Sequence, residues 1–387
     1  MISAQVSAML CASSIGFSSI PKHGTCASET PPSKYTGVID YEISAFDQSC
    51  LETEISCYNR YSPNIPLAMM VPSGSVVEFK TRDLWDRPGW DYSGTPDADK
   101  NFDLAYGDLN VVHIITGPVG IIGAEPGDKV AIEILDITPL AKGFTMADTP
   151  LGFMDGVQSV DSGFGNAPES YRAWTWWDYS PTEGWTTPTF PSVVVAYEPF
   201  PGSIGVLPSQ ATVDMKLGHH ADETTLYGGP AWAVNTNMAV PRSVCGVNGS
   251  APETCLRTMA GGDYFGNTDT QRMGVGTTLF LDCQVAGCGV GTGDTHGAQG
   301  DGELSITAIE MEASVIMKLT ILKPGDPGFS KPVPSMYGTT SMFTHSPQTT
   351  NRPTSTPTQS TAPRTHGRGT HTHIHIICIW FHQPLHD

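Results

Sequence analysis

The chain has 387 residues, 39% of them hydrophobic, which is enough to bury a sizeable core in one large or two modest domains. Its 39 acidic against 20 basic residues leave a formal charge of −19, which repels phosphate backbones and argues against nucleic acid as a partner. No stretch approaches the roughly 18 uninterrupted apolar residues of a spanning helix, so no membrane span is expected.

Residues 1–38 are rich in Ser, Thr, Pro and Ala without a sustained period and read as a flexible leader. The first 19 are mildly apolar but lack a cationic start, so they leave both a cytoplasmic and a secreted location open. From Ile39 onward, short apolar runs alternate with Gly/Pro turns, which predicts a mainly β domain over residues 39–323. We expect a multi-stranded sandwich or barrel-like fold with few helices.

Related β-units are suggested by an internal echo. Pro72–Asp83 and Pro126–Asp136 each run from a Pro/Gly turn into alternating β-formers closed by Asp, and Gly274–Asp282 is a shorter relative. The pairs Cys50/Cys57, Cys245/Cys255 and Cys283/Cys288 are compatible with disulfides, and Asn248-Gly249-Ser250 is a glycosylation acceptor between two of these cysteines. For Cys283 and Cys288, buried thiols or metal ligands are the alternatives.

Trp174, Trp176, Trp177 and Trp185 read as packing under a long loop or as a pocket wall. His219-His220 with Asp222 and Glu223 is either a metal cluster or a solvated loop. Leu304–Leu322 reads as a long strand with a phase break near Glu310–Ser314, hence a bulge or two strands. Residues 324–387 turn Pro/Thr/Ser-rich and then His-rich, and are expected to be a disordered tail.

The densest chemistry lies in GVGTGDTHGAQGDGE, Gly289–Glu303. Asp294 and His296 are two apart, as are Asp301 and Glu303, so an extended backbone would project each pair from one face. An Asp with a His is a partial ligand set for a divalent metal, and a further carboxylate could move the proton of a bound water. The same composition is also ordinary turn material. The chain carries no Gly-x-Ser-x-Gly elbow, no His-Glu-x-x-His and no phosphate loop.

Four stretches in order resemble the acetamidase/formamidase family: GPVGIIGAEPGD at Gly117–Asp128, PGSIGVLP at Pro201–Pro208, GNTD at Gly266–Asp269 and GDTHGAQGDGE at Gly293–Glu303. The resemblance implies hydrolysis of short linear amides such as formamide or acetamide to carboxylate and ammonia, a divalent metal such as zinc or calcium, and a homo-oligomer. It makes Asp294 and His296, helped by Asp269 and Asn267, the expected metal ligands. Glu303 or Asp301 is the expected proton carrier, and Gln299 the donor to the oxyanion. Asn59 and Glu125 are expected to contact substrate, although the Glu-Pro-Gly context of Glu125 fits a turn equally well.

Three departures stand against this. Where the family carries HNRWHP, this chain has YNRYSP, with Tyr58 and Ser62 in place of two histidines; the first glycine of the family's GGN is Phe265, the glycine pair lying upstream at Gly261-Gly262; and the ending is low in complexity. The alternative is a noncatalytic β-protein that binds a small ligand or metal on the same scaffold.

Overall fold

The computed structural model describes residues 35–338, apart from 47–48, 55, 87–109, 149–171, 190, 228–233, 260, 301–302 and 304–306. The leader up to residue 34, the tail beyond Gly338 and Asp301 therefore lie outside the described residues, as do the side chains of His219, His220, Asp222, Glu223 and Trp174.

Among the described residues seventeen short and long strands follow one another: β1 Tyr41–Ser44, β2 Cys57–Tyr58, β3 Arg60–Tyr61, β4 Met69–Val71, β5 Ser75–Thr81, β6 Ile115–Ile121, β7 Lys129–Asp148, β8 Arg172–Ser180 and β9 Gly184–Thr186. Then come β10 Val194–Val195, β11 Phe200–Gly205, β12 Leu256–Arg257, β13 Phe265–Asn267, β14 Thr277–Asp282, β15 Val290–His296, β16 Glu310–Leu322 and β17 Ser335–Gly338. Among the described residues, Gln210–Tyr227 is the one helix longer than a single turn. It has no window long and apolar enough to cross a membrane.

Fifteen strands join one mixed sheet, and β3 pairs with β12 apart from it. The main path runs β10-β9-β8-β7-β16-β15-β11-β13. Side branches leave it at β7 toward β14 and β17, at β16 toward β5 and β1, and at β15 toward β6, β2 and β4. Among the described strands no pairing path returns to its start, so the expected β-rich, helix-poor architecture is present without a closed barrel.

The echoed units have a common geometry. Gly74, Gly127 and Gly276 all take a positive φ, between 86° and 94°, and release the chain into β5, β7 and β14. Glycine turns of this hand are open to residues without a Cβ at little cost. β5 and β7 then flank β16 on its two edges, with Met317 opposite Val77 on one side and Ile134 on the other. The phase break seen in the sequence is a bulged single strand: β16 shifts register against β7 between Met311 and Ala313 and again between Ile316 and Met317. The sheet also continues past residue 323, because β17 pairs with β14 from Thr277↔Gly338 to Phe280↔Ser335.

The central strands are covered on both sides. All seven residues of β6 and of β15 are buried, which explains why neither shows a clean alternation of polar and apolar residues. Trp177 and Trp185 are core residues, and Trp177 Nε1 donates to Thr145 Oγ1 at 2.9 Å, while Trp176 packs edge-on against Phe144. Packing is thus the role of these three tryptophans. The three cysteine pairs are disulfides, Cys50–Cys57, Cys245–Cys255 and Cys283–Cys288.

Candidate active site

Antiparallel register gathers the reactive residues at one end of the central strands. Gly293 of β15 faces Ile115 at the start of β6, His296 faces Glu310 at the start of β16, and His296 also faces Phe200 at the start of β11. Ser203 of β11 pairs with Gly293 on one side and Asn267 on the other, so Asp269 arrives just beyond the end of β13. Five segments distant in sequence therefore deliver His113, Ser203, Asp269, Asp294, His296 and Glu310 to one place.

Glycine makes the approach close enough. A Cβ on Gly202 would sit 2.7 Å from Asp294 O and from His296 Cε1, so the β11 backbone lies directly against the imidazole. The Gly202 carbonyl accepts the amides of Thr268 and Asp269 at 3.1 and 3.2 Å, which fixes Asp269 beside the same ring. A Cβ at Gly293 would overlap the Ile114 carbonyl, so that glycine lets β15 and β6 come together.

Asp294 and His296 do converge, with Nε2 3.8 Å from Asp294 Oδ1. They do not do so by strand alternation alone, because Asp294 has φ 52°. Asp269 (φ 43°) and Glu303 (φ 40°) share this left-handed conformation. It is uncommon for residues with a Cβ and costs about 1–2 kcal/mol at each. Three acids held this way in one cluster is the pattern of a backbone bent to aim side chains at a site.

His296 is the hub. Its Nδ1 lies 2.7 Å from Gln299 Oε1, an acceptor, so Nδ1 carries hydrogen and Nε2 faces the acids. Nε2 is 3.3 Å from Glu310 Oε2, whose other oxygen accepts the Ala308 amide at 2.9 Å. Burial alone would lower the His296 pKa, but Glu310 and Asp294 outweigh it and hold the imidazole well above its usual range. Burial likewise pushes Asp294 upward, yet His113 and His296 overcome it and bring this carboxyl down to about 2. His113 Nε2 lies 3.7 Å from Asp294 Oδ2.

Glu303 behaves oppositely. Burial first, then the neighbouring charges of Asp269, Glu310 and Asp294, push it up to about 9, despite the opposing effect of His296. Asp269 is raised mainly by burial, and its hydrogen bond with Glu303 opposes that shift. At neutral pH Glu303 thus holds the proton in the bond between the two carboxyls.

Two ligand triads share His296: Asp269/Asp294/His296, and His296/Glu303/Glu310, with the ligand atoms of each within 4.8 Å of one another. The buried Asp269 Oδ1 has no hydrogen-bond partner. A buried acceptor left open within such a cluster fits a cation better than a finished hydrogen-bond network.

Other expected residues take different places. Asn267 stands behind Asp294: its Oδ1 accepts from Ser203 Oγ at 3.1 Å and its Nδ2 donates to Met259 O at 3.0 Å. Ser203 Oγ is also 3.4 Å from Asp294 Oδ2. Asn59 is wholly buried, donating to Val111 O and Met238 O and accepting the Val240 amide, so it has no open hydrogen-bonding atom for a substrate. Glu125 is exposed in the turn after β6, at the opposite end of that strand from Ile115. Seven residues of strand separate the two ends by about 20 Å. Gln299 is engaged through its carbonyl with His296. Of the replaced histidines, Ser62 Oγ bonds Thr254 Oγ1 at 2.7 Å and Tyr58 packs edge-on against Tyr61.

Glu310, His113 and Ser203 lie outside the residues singled out in the sequence. Two of them left a trace there: Ser203 lies within the PGSIGVLP stretch, and Glu310 is the acid at the start of the phase break in a long apolar strand.

A buried histidine ringed by carboxyl groups suits hydrolytic chemistry, and the comparisons agree in class. The sequence matches the profile of the Acetamidase/Formamidase family over residues 44–347, and the chain belongs to that family. It is accordingly a hydrolase of carbon–nitrogen bonds other than peptide bonds, acting on linear amides.

Among particular relatives, it is 29% identical over 292 residues to the formamidase of Methylophilus methylotrophus, covering 72% of this chain and 67% of that one. It is 27% identical over 301 residues to the acetamidase of Mycolicibacterium smegmatis, covering 74% and 70%. In structure it is similar to a gamma lactamase from Delftia acidovorans, with a TM-score of 0.64 and 26% identity over 78% of this chain and 72% of that one. The match thus spans about two thirds of the length of these curated relatives.

Proposed function

We propose that the protein hydrolyses short linear amides of the formamide or acetamide type at the cluster around His296, with a divalent cation held by Asp269, Asp294 and His296. The observation that carries this reading is the triad itself: three ligand atoms within reach of one ion, on residues of which one, Asp269, has a buried carboxylate oxygen with no partner. One imidazole among carboxylates suits a borderline ion such as zinc better than calcium, which prefers an all-oxygen shell. Such a cation, when bound, supplies a positive charge that polarises an amide carbonyl and eases deprotonation of water.

The chain's own residues do the rest. Gln299 fixes the tautomer of His296 and keeps Nε2 turned into the cluster. Ser203, steadied by Asn267, supports Asp294 from behind. Glu303 is the proton carrier. Hydrolysis moves one proton off water and one onto the departing nitrogen. A carboxyl that gives its proton to nitrogen and regains one from water ends the cycle as it began. Phe200, packed edge-on against His296 at 5.1 Å, lines the apolar side of the ring.

The test is ammonia release by purified protein from formamide, acetamide and longer linear amides, alongside ring opening of a γ-lactam followed by the appearance of its amino acid, since that reaction frees no ammonia, with metal content measured on the same sample. Release from the short linear amides, abolished by a chelator and restored by zinc, is the expected result. Folded, metal-loaded protein that releases ammonia from none of the linear amides overturns the proposal. Turnover confined to the lactam overturns the substrate assignment.

A further inference from the structure

The amidase chemistry leaves one sequence motif unused. Asn248-Gly249-Ser250 is the only Asn-x-Ser/Thr triplet in the chain. It lies in the turn between the short helix Arg242–Cys245 and the 3-10 turn Pro252–Thr254, inside the loop closed by the Cys245–Cys255 disulfide.

Each of its residues can be asked for a structural reason. Gly249 has one: its amide donates to Gly246 O at 2.8 Å, and a Cβ there would overlap the Val244 carbonyl. Asn248 and Ser250 have none. Both are exposed, and among the described residues neither side chain has a hydrogen-bond partner, whereas turn asparagines and serines usually bond a nearby backbone group. Ser250 is held only through its backbone, whose amide donates to Ser243 O at 3.0 Å. Val247 beside them is 75% exposed, an apolar side chain left in water next to a shallow depression lined by Met238, Ala239 and Arg242.

A second, independent observation bears on the compartment. The six cysteines of the three disulfides are all buried, and each pair is close in sequence, separated by 7, 10 and 5 residues. Closing a pair removes two protons and two electrons from its thiols, and a thiol–disulfide oxidant must accept them. Such oxidants keep structural disulfides closed in secretory and extracellular compartments rather than in the cytosol.

We propose that Asn248 is a site of N-linked glycosylation and that the chain matures in an oxidising secretory compartment. In the transfer, the anomeric carbon of the donor sugar bonds Asn248 Nδ2, which loses one proton. The bond from that carbon to the oxygen of a polyprenyl pyrophosphate carrier breaks, and the pyrophosphate leaves with the electron pair. The sugar then lies over Val247 and the neighbouring depression. The fixed turn beneath it, closed by a disulfide, holds the acceptor clear of the sheet.

The experiment directs the full chain into the secretory pathway of yeast and compares it with the same chain made in a reducing cytosol. The secreted product should carry glycan on the peptide containing Asn248, and enzymatic release should convert that residue to Asp. Asn248→Gln and Ser250→Ala should abolish the modification, Ser250→Thr should retain it, and ammonia release should be unchanged in all three. Secreted protein with its three disulfides formed and Asn248 unmodified overturns the site. Thiol counting adds the second arm: six of the nine cysteines should be blocked in the secreted chain, and the cytosolic chain should unfold at a lower temperature. Equal unfolding temperatures with all cysteines free overturn the assignment to an oxidising compartment.

Discussion

Two buried polar regions of this protein look alike in burial and opposite in finish. In the stretch Asn59–Ser62, Asn59 spends its carboxamide on three backbone groups. Arg60 donates to the carbonyls of Asn59, Asn110, Asn235 and Asn237, and Ser62 bonds Thr254. Around His296, by contrast, four carboxyl groups crowd one imidazole and Asp269 Oδ1 is left open. A folded chain closes its polar atoms where they hold segments together, and leaves some open where an outside group completes them. The tyrosines qualify the first half of this contrast. The hydroxyls of Tyr58 and Tyr61 are buried without partners, yet the two rings pack against each other and Tyr61 also packs against Tyr264.

The strongest way to break the comparison is to remove the open side. Asp294→Ala combined with His296→Ala should lower amide hydrolysis by on the order of 10³-fold or more, because a ligand pair that acts as a unit is lost. The melting temperature of the cation-free protein should hold or rise, since buried charges leave with the side chains. Full ammonia release by the double variant would remove this cluster from the chemistry.

The closed side should respond in stability instead. Asn59→Ala leaves the Val111 and Met238 carbonyls and the Val240 amide unpaired in the interior, a cost of about 3 kcal/mol or more. Denaturant unfolding should show that loss, while the folded fraction keeps its turnover per molecule. A collapse of turnover at unchanged stability would instead place Asn59 at the substrate.

How much of this was legible beforehand differs between the same two regions. The β-rich class was readable because Gly/Pro punctuation and β-branched runs are local signals, and Gly74, Gly127 and Gly276 place the predicted turns where the strands begin. Within the site, Asp294, His296 and Asp269 were readable from motifs. Ser203 lay within the PGSIGVLP stretch without a role assigned to it, and Glu310 and His113 were not readable, because strand register brings them to the site and register is a long-range property. The role of Asn59 was hidden for the same reason: its partners at Val111, Met238 and Val240 lie 52 to 181 residues away. The period-two argument paired Asp294 with His296, but a left-handed Asp294 achieves the convergence, and no sequence pattern announces that.

A smaller effect sharpens the contrast through pH. Glu303 is raised to about 9, above its ordinary carboxylate value of 4.5. In cation-free protein the native state then binds one more proton than the unfolded state between those values, so unfolding free energy falls as pH rises. The neutral carboxyl contributes fully below about 4.5 and its contribution is lost as pH climbs toward 9, with a slope of at most about 1.4 kcal/mol per pH unit. Glu303→Gln should flatten this dependence. A slope that persists in the variant would assign it to another group.

The smallest expected effect separates two acids of one motif. Within GAEPGD, Asp128 is buried and accepts the Glu125 amide at 2.7 Å and Lys323 Nζ at 2.6 Å, tying the turn after β6 to the end of β16. Glu125 contributes its backbone to that turn and leaves its side chain exposed, at the far end of β6 from the cluster. Glu125→Gln should therefore stay within about 0.5 kcal/mol of the parent in unfolding and leave amide turnover unchanged. Asp128→Asn should cost about 1 kcal/mol or more through the weakened charge-assisted bonds. If Glu125→Gln lowers turnover while Asp128→Asn does not, the GAEPGD turn takes part in catalysis, and the division between closed and open polar regions no longer locates the chemistry.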